Sequence, residues 1–94
     1  MRCTPETGEK QAVKDYLSLM RYFHFPLTAG MGSYRGAPDR IAIKGGKVYA
    51  IEVKGPKGKL TPYEEGFALA WRASGGIYLH GTFDDIREGL KGHS

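Results

Sequence analysis

The 94-residue chain has a single cysteine, Cys3. One thiol can close no internal disulfide and supply no cysteine-based zinc site, and a reducing cytoplasm is the expected compartment. No stretch approaches the roughly 18 consecutive apolar residues of a membrane span, and no basic-then-apolar leader opens the chain. Neither a membrane partner nor a signal peptide is therefore expected. Internal repeats, low-complexity tracts and domain-separating linkers are also missing. With 40% hydrophobic residues the chain is rich enough to build a core, and at this length one domain spanning 1–94 is expected.

Acidic residues are scarce in one region. Between Arg35 and Lys59 stand seven basic residues (Arg35, Arg40, Lys44, Lys47, Lys54, Lys57 and Lys59) and two acids, Asp39 and Glu52. That segment carries +5 in a chain of net +4, so the remainder is −1. A local basic excess points to a polyanion site rather than to a generally basic surface.

The expected order of elements is α-β-β-β-α-β-α, a small α/β domain with helices flanking a sheet. Thr4-Pro5-Glu6 reads as a helix start, followed by Val13, Tyr16, Leu17 and Met20 on one apolar face. Tyr22 to Leu27 is short and aromatic, and Pro26 confines it to an edge. Ala29 to Ala37 is Gly-rich and reads as a loop. Arg40–Lys44 and Lys47–Lys54 flank Gly45-Gly46, a strong hairpin signal, since tight hairpin turns need positive φ. Thr61-Pro62-Tyr63-Glu64 is a capping box opening a second helix, with Phe67, Ala70 and Trp71 expected on its buried side. Gly75-Gly76 ends it; Ile77–Leu79 makes a strand, and Thr82–Leu90 a last helix.

The hairpin carries the chemistry. With a Gly45-Gly46 turn, Lys44 faces Lys47, Ile43 faces Val48, and Asp39 falls opposite Glu52. Opposed carboxylates repel at about 5 Å between Cβ atoms unless a cation lies between them. Strand alternation puts Lys54 on the same face as Glu52. Two carboxylates and an ammonium at one end of a hairpin suit a divalent metal with a lysine able to orient water. The competing reading is a turn at Asp39 and a solvated face at Glu52 and Lys54. His24, His80 and His93 have no partner at metal spacing and are expected to be structural or solvated.

Gly36-Ala37-Pro38-Asp39 followed by Ile51-Glu52-Val53-Lys54 resembles the PD-(D/E)xK nuclease signature. More narrowly, with Leu60-Thr61-Pro62 and Ala73-Ser74-Gly75-Gly76-Ile77, the chain resembles the virus-type replication-repair nuclease (VRR-NUC) domain of stand-alone phage or bacterial proteins. The resemblance implies a restriction-endonuclease-like fold with a mixed sheet. It implies Asp39 and Glu52 as ligands of Mg²⁺ or Mn²⁺, the main-chain carbonyl of Val53 as a further ligand, and Lys54 as catalytic lysine. Glu6 matches an acid that helps to hold the metal in this family, or is only a favourable charge at a helix start; Glu9 fits that role less well. The family's usual Gln is replaced by Glu64, which either takes over its contacts in the catalytic set or only caps the helix.

The resulting expectation is a metal-dependent DNA endonuclease, a homodimer selective for branched DNA such as Holliday junctions, acting in DNA repair. It would work in the cytoplasm, the host's if the chain is phage-encoded. Tyr34, Arg35, Arg40, Lys57 and Lys59 are the expected DNA contacts, through stacking and phosphate pairing. The alternatives are a catalytically weak nucleic-acid-binding module and a restriction-type nuclease on linear duplex.

Overall fold

A computed structural model describes residues 5–28 and 34–93, with the side chains of Pro5 and Glu6 excepted. The expected cap at Thr4, Cys3 and residues 29–33 of the glycine loop lie outside the described residues. The order is α1 (Pro5–Leu19), β1 (Phe23–Pro26), β2 (Arg40–Lys44), β3 (Lys47–Val53), α2 (Pro62–Ala73), β4 (Ile77–Gly81) and α3 (Phe83–His93). This is the expected α-β-β-β-α-β-α order. The strands form one mixed sheet in the order β1-β2-β3-β4. The first two pairings are antiparallel, and β4 runs parallel to β3, which requires the crossover that α2 provides.

The hairpin register is Lys44↔Lys47, Ile43↔Val48 and Arg40↔Ile51, as its Gly45-Gly46 turn dictates. Both glycines have positive φ, +58° and +81°. Pro26 ends β1, the edge strand, where its missing N–H breaks no inner ladder.

Each face of the sheet has its own core. Val13 and Leu17 of α1 and Ile86 and Leu90 of α3 pack on Ala42, Tyr49, Ile51 and Val53. On the other face Ala68 of α2 packs on Ile41, Ala50 and Tyr78, with Phe67, Trp71 and Leu60 around them. Being buried on both sides, β3 reads as a nearly continuous apolar run.

Two helical faces differ from expectation. Met20 is 40% exposed, because α1 ends at Leu19 and the chain reverses through Arg21 at φ +63°. On α2 the buried centre is Ala68 rather than Ala70, because Ala68 faces Ile41, Ala50 and Tyr78 of the sheet while Phe67 and Trp71 flank it. Among the described residues no helix is long and apolar enough to cross a membrane.

One glycine ties the loop before β2 to α2. Gly36 has φ +84°, and a Cβ there would lie 2.2 Å from the carbonyl oxygen of Tyr63. Gly45 is also left-handed, but a Cβ there meets nothing. Gly36→Ala is therefore expected to lower stability by about 2–4 kcal/mol, the sum of backbone strain and a backbone clash. Gly45→Ala should cost only about 1–2 kcal/mol, the left-handed penalty alone. Thermal unfolding of the two variants checks the difference.

Candidate active site

The C-terminal end of β3 is the most charged place in the interior. Alternation along β3 sends Val48, Ala50 and Glu52 to the α2 face and Tyr49, Ile51 and Val53 to the other. The ladder continues one step past the strand, the Lys54 N–H donating to the Gly81 carbonyl at 2.8 Å. Glu52 is only 4% exposed and is the one buried charged residue among the described residues. The ammonium of Lys54 lies 3.6 Å from Glu52 Oε2 and 2.9 Å and 3.2 Å from the two carboxylate oxygens of Glu64.

Glu64 caps the helix and also reaches Lys54. Its Oε1 accepts from the Thr61 N–H at 2.8 Å, while Thr61 Oγ1 accepts from the Glu64 N–H at 3.2 Å, closing the capping box. The same carboxylate holds Lys54. A helix cap thereby fixes an acid against the lysine, and Gly36 lets the preceding loop pack on that first turn of α2.

Asp39 follows buried Pro38 and stands one step past the Arg40↔Ile51 pair. Its N–H donates to the Ile51 carbonyl at 3.0 Å, and its Oδ2 accepts the Val53 N–H at 2.8 Å. A side-chain oxygen thus takes over the ladder, so Asp39 is pinned to the strand that carries Glu52. Its Oδ1 lies 3.5 Å from the ammonium of Lys10 on α1, a neighbour with no signal in the sequence.

The other expected residues divide. Glu6 lies in α1, but its side chain is outside the described residues. Glu9 accepts from the Phe83 N–H and so caps α3. Arg40 bonds His24 Nδ1 at 2.8 Å, and His24 Nε2 meets Ser18 Oγ at 2.8 Å. Burial, then Arg40 and Lys14, push the His24 pKa down, which suits a neutral ring accepting from Arg40. Tyr34 and Arg35 are exposed, with the Tyr34 ring edge-on to Phe67 and the Arg35 guanidinium 4.2 Å over the Tyr63 ring. Lys57 and Lys59 are exposed in the segment leading to α2. Lys44 and Lys47 lie at the hairpin turn, five residues or about 17 Å along the strands from Glu52. There Lys44 donates to the Met20 carbonyl and Lys47 to that of His93.

Tyr63 was not singled out by the sequence, where it reads as the second residue of a helix. Nor was Tyr78, whose hydroxyl is buried on the α2 face with no hydrogen-bond partner among the described residues. Its apolar strand hides a polar end. Burial and the charges of Glu52 and Glu64 push that hydroxyl's pKa up.

No protein-family model matches the chain, and no curated protein matches it in sequence. In three dimensions it is similar to a solved structure of a VRR_NUC domain, with a TM-score of 0.81 and 20% sequence identity. The match covers 98% of this chain and 100% of that one. The chain has the fold of a VRR_NUC domain.

Among the described residues no three His, Cys, Asp or Glu side chains stand close enough together to hold a metal ion. Mg²⁺ does not need three, since it commonly keeps several waters and takes one or two carboxylates plus substrate phosphate. Asp39, Glu52 and the Val53 carbonyl, all at one strand end, fit that modest demand. The electrostatics fit it as well. Burial, then the charges of Asp39 and Glu64, push the Glu52 pKa from 4.5 to about 8, against the pull of Lys54. Burial pushes Glu64 up too, but hydrogen bonds from Lys54 and the Thr61 N–H outweigh it and hold Glu64 low. For Lys54 burial is likewise outweighed, by Glu64 and Glu52, and the ammonium stays charged.

In metal-free protein the folded state keeps a proton on Glu52 that the unfolded chain releases above about 4.5. This contribution to stability is complete below that pH and is lost as pH rises through about 8. Glu52→Gln is expected to flatten that fall and to raise the melting temperature above wild type at pH 8. Added Mg²⁺ should raise the melting temperature of wild type but not of the Gln variant. Thermal melts across pH, with and without Mg²⁺, check both.

Proposed function

We propose that the chain is a PD-(D/E)xK nuclease of the VRR-NUC type, hydrolysing DNA phosphodiester bonds with Mg²⁺ or Mn²⁺. The observation that carries this reading is one arrangement within a VRR_NUC fold. Asp39 is pinned to the end of β3, where buried Glu52 and the charged ammonium of Lys54 also stand.

Asp39 and Glu52, with the carbonyl of Val53, would hold the cation. A divalent cation there supplies charge neutralisation on a non-bridging phosphate oxygen and lowers the pKa of a bound water. Lys54 orients the attacking water and stabilises charge developing on the phosphate, its three N–H donors being aimed by Glu64 and Glu52. Glu64 keeps that ammonium charged and in place. Lys57, Lys59 and Arg35 supply sequence-independent phosphate affinity, which falls steeply with added salt. These contacts carry no base readout, and cutting selected by DNA shape, as on branched or four-way junctions, is the better fit. A homodimer suits the two-fold symmetry of such a junction. The enzyme would act in the cytoplasm, the host's if the chain is phage-encoded.

The test incubates the protein with linear, flapped and four-way DNA in Mg²⁺, Ca²⁺ and EDTA. Cutting of the branched DNAs in Mg²⁺ alone is expected. Lys54→Ala should keep DNA binding and lose about 100-fold or more in cutting rate. Binding without cutting under every condition would favour a DNA-binding module, and discrete fragments from linear duplex a restriction-type enzyme. Normal cutting by Lys54→Ala would overturn the role given to that residue.

A further inference from the structure

Beside the catalytic lysine lies a surface that phosphate chemistry does not use. Tyr63 is 54% exposed although it sits in the first turn of α2, and Tyr34 is 66% exposed. Arg35 follows Tyr34 in the chain, its guanidinium 4.2 Å over the Tyr63 ring and itself exposed. Tyr63 immediately precedes Glu64, whose carboxylate lies 2.9 Å from Lys54 Nζ. The platform and the lysine are thus one residue and one ion pair apart. Gly36, next to Arg35, packs on the Tyr63–Glu64 backbone more closely than any Cβ would allow. The ring, the guanidinium and the acid are thus held next to one another on one helix turn.

We propose that Tyr63 with Arg35 is a stacking platform for one unpaired base of the DNA at this site. The proposal rests on the nuclease reading and narrows its substrate to DNA carrying an unstacked nucleotide. An aromatic ring and a guanidinium plane both offer flat, polarisable faces on which any base can stack, without sequence preference. Only an unpaired base can use them, because bases inside a continuous duplex already stack on their neighbours. Charge agrees with this occupant: Arg35 offers a phosphate contact at the platform, and Lys57 and Lys59 lie in the segment running into the same helix turn. A backbone held there is drawn across Lys54 with one base turned onto Tyr63. Junctions and flaps expose such bases, and continuous duplex does not.

The test measures binding in EDTA, where no cutting occurs. The probe is a duplex with one unpaired 2-aminopurine, compared with the same duplex with that base paired. Wild type is expected to bind the unpaired form roughly 10-fold more tightly and to quench its fluorescence. Tyr63→Leu should lose the preference and the quenching while binding the paired duplex as wild type does. Tyr63→Phe should retain both, and Arg35→Ala, which leaves α2 untouched, should lose most of the preference. Equal affinity of wild type for the two DNAs overturns the proposal, as does a Tyr63→Leu variant that behaves like wild type. Equal weakening on both DNAs also overturns it, and assigns the ring to holding the loop. Cutting is scored separately in Mg²⁺. A protein that prefers the unpaired DNA through Tyr63 but cuts nothing overturns the nuclease reading alone. One that cuts branched DNA without depending on Tyr63 overturns only the platform.

Discussion

The Lys54–Glu64 ion pair joins the strand that carries the acids to the helix that covers them. Its two side chains are each only 15% exposed, so little water screens the pair. An uncompensated charge in that position would be expensive, and each partner keeps the other ionised. Glu52 lies deeper and lacks an equal partner, since the ammonium is nearer to Glu64 than to it. The site therefore holds one well-paired acid, one poorly paired acid, and Asp39 tied to the backbone of the same strand.

The fold positions these groups with ordinary devices. A two-glycine turn sets the hairpin register, a capping box aims Glu64, and the crossover brings β4 alongside β3 so that Gly81 holds the Lys54 N–H. Gly36 lets a loop from the other side of the hairpin reach the same helix turn. The turn acts from the far end of the hairpin, and the other three meet around Lys54. Secondary-structure elements thus set the geometry around the lysine.

The basic segment changes meaning once folded. As a sequence, Arg35 to Lys59 is one patch of +5. As a structure it is divided along the hairpin, with Lys44 and Lys47 at the turn and Lys54, Lys57 and Lys59 at the far end. Arg40 is turned inward to His24. Charge counted along a hairpin overstates a patch, because antiparallel strands carry neighbours in the middle of the segment away from both of its ends.

Much of the molecule was legible in the residues. Element order, hairpin register, the capping box and the placement of Glu52 and Lys54 on one face follow from turn chemistry and strand alternation, which are local rules. The G-x-P-D and E-x-K pattern is likewise local, lying within one hairpin and its flanks. The remainder depended on contacts between residues far apart in sequence. Lys10 beside Asp39, Glu9 capping α3 and Arg35 over Tyr63 leave no periodic trace, because each joins elements whose approach is decided by packing. The double duty of Glu64 shows the boundary well. The sequence by itself determined that it caps a helix, since the cap lies within four residues. Only the tertiary structure decided that the same carboxylate holds the lysine, because that contact exists only when α2 is laid across the sheet.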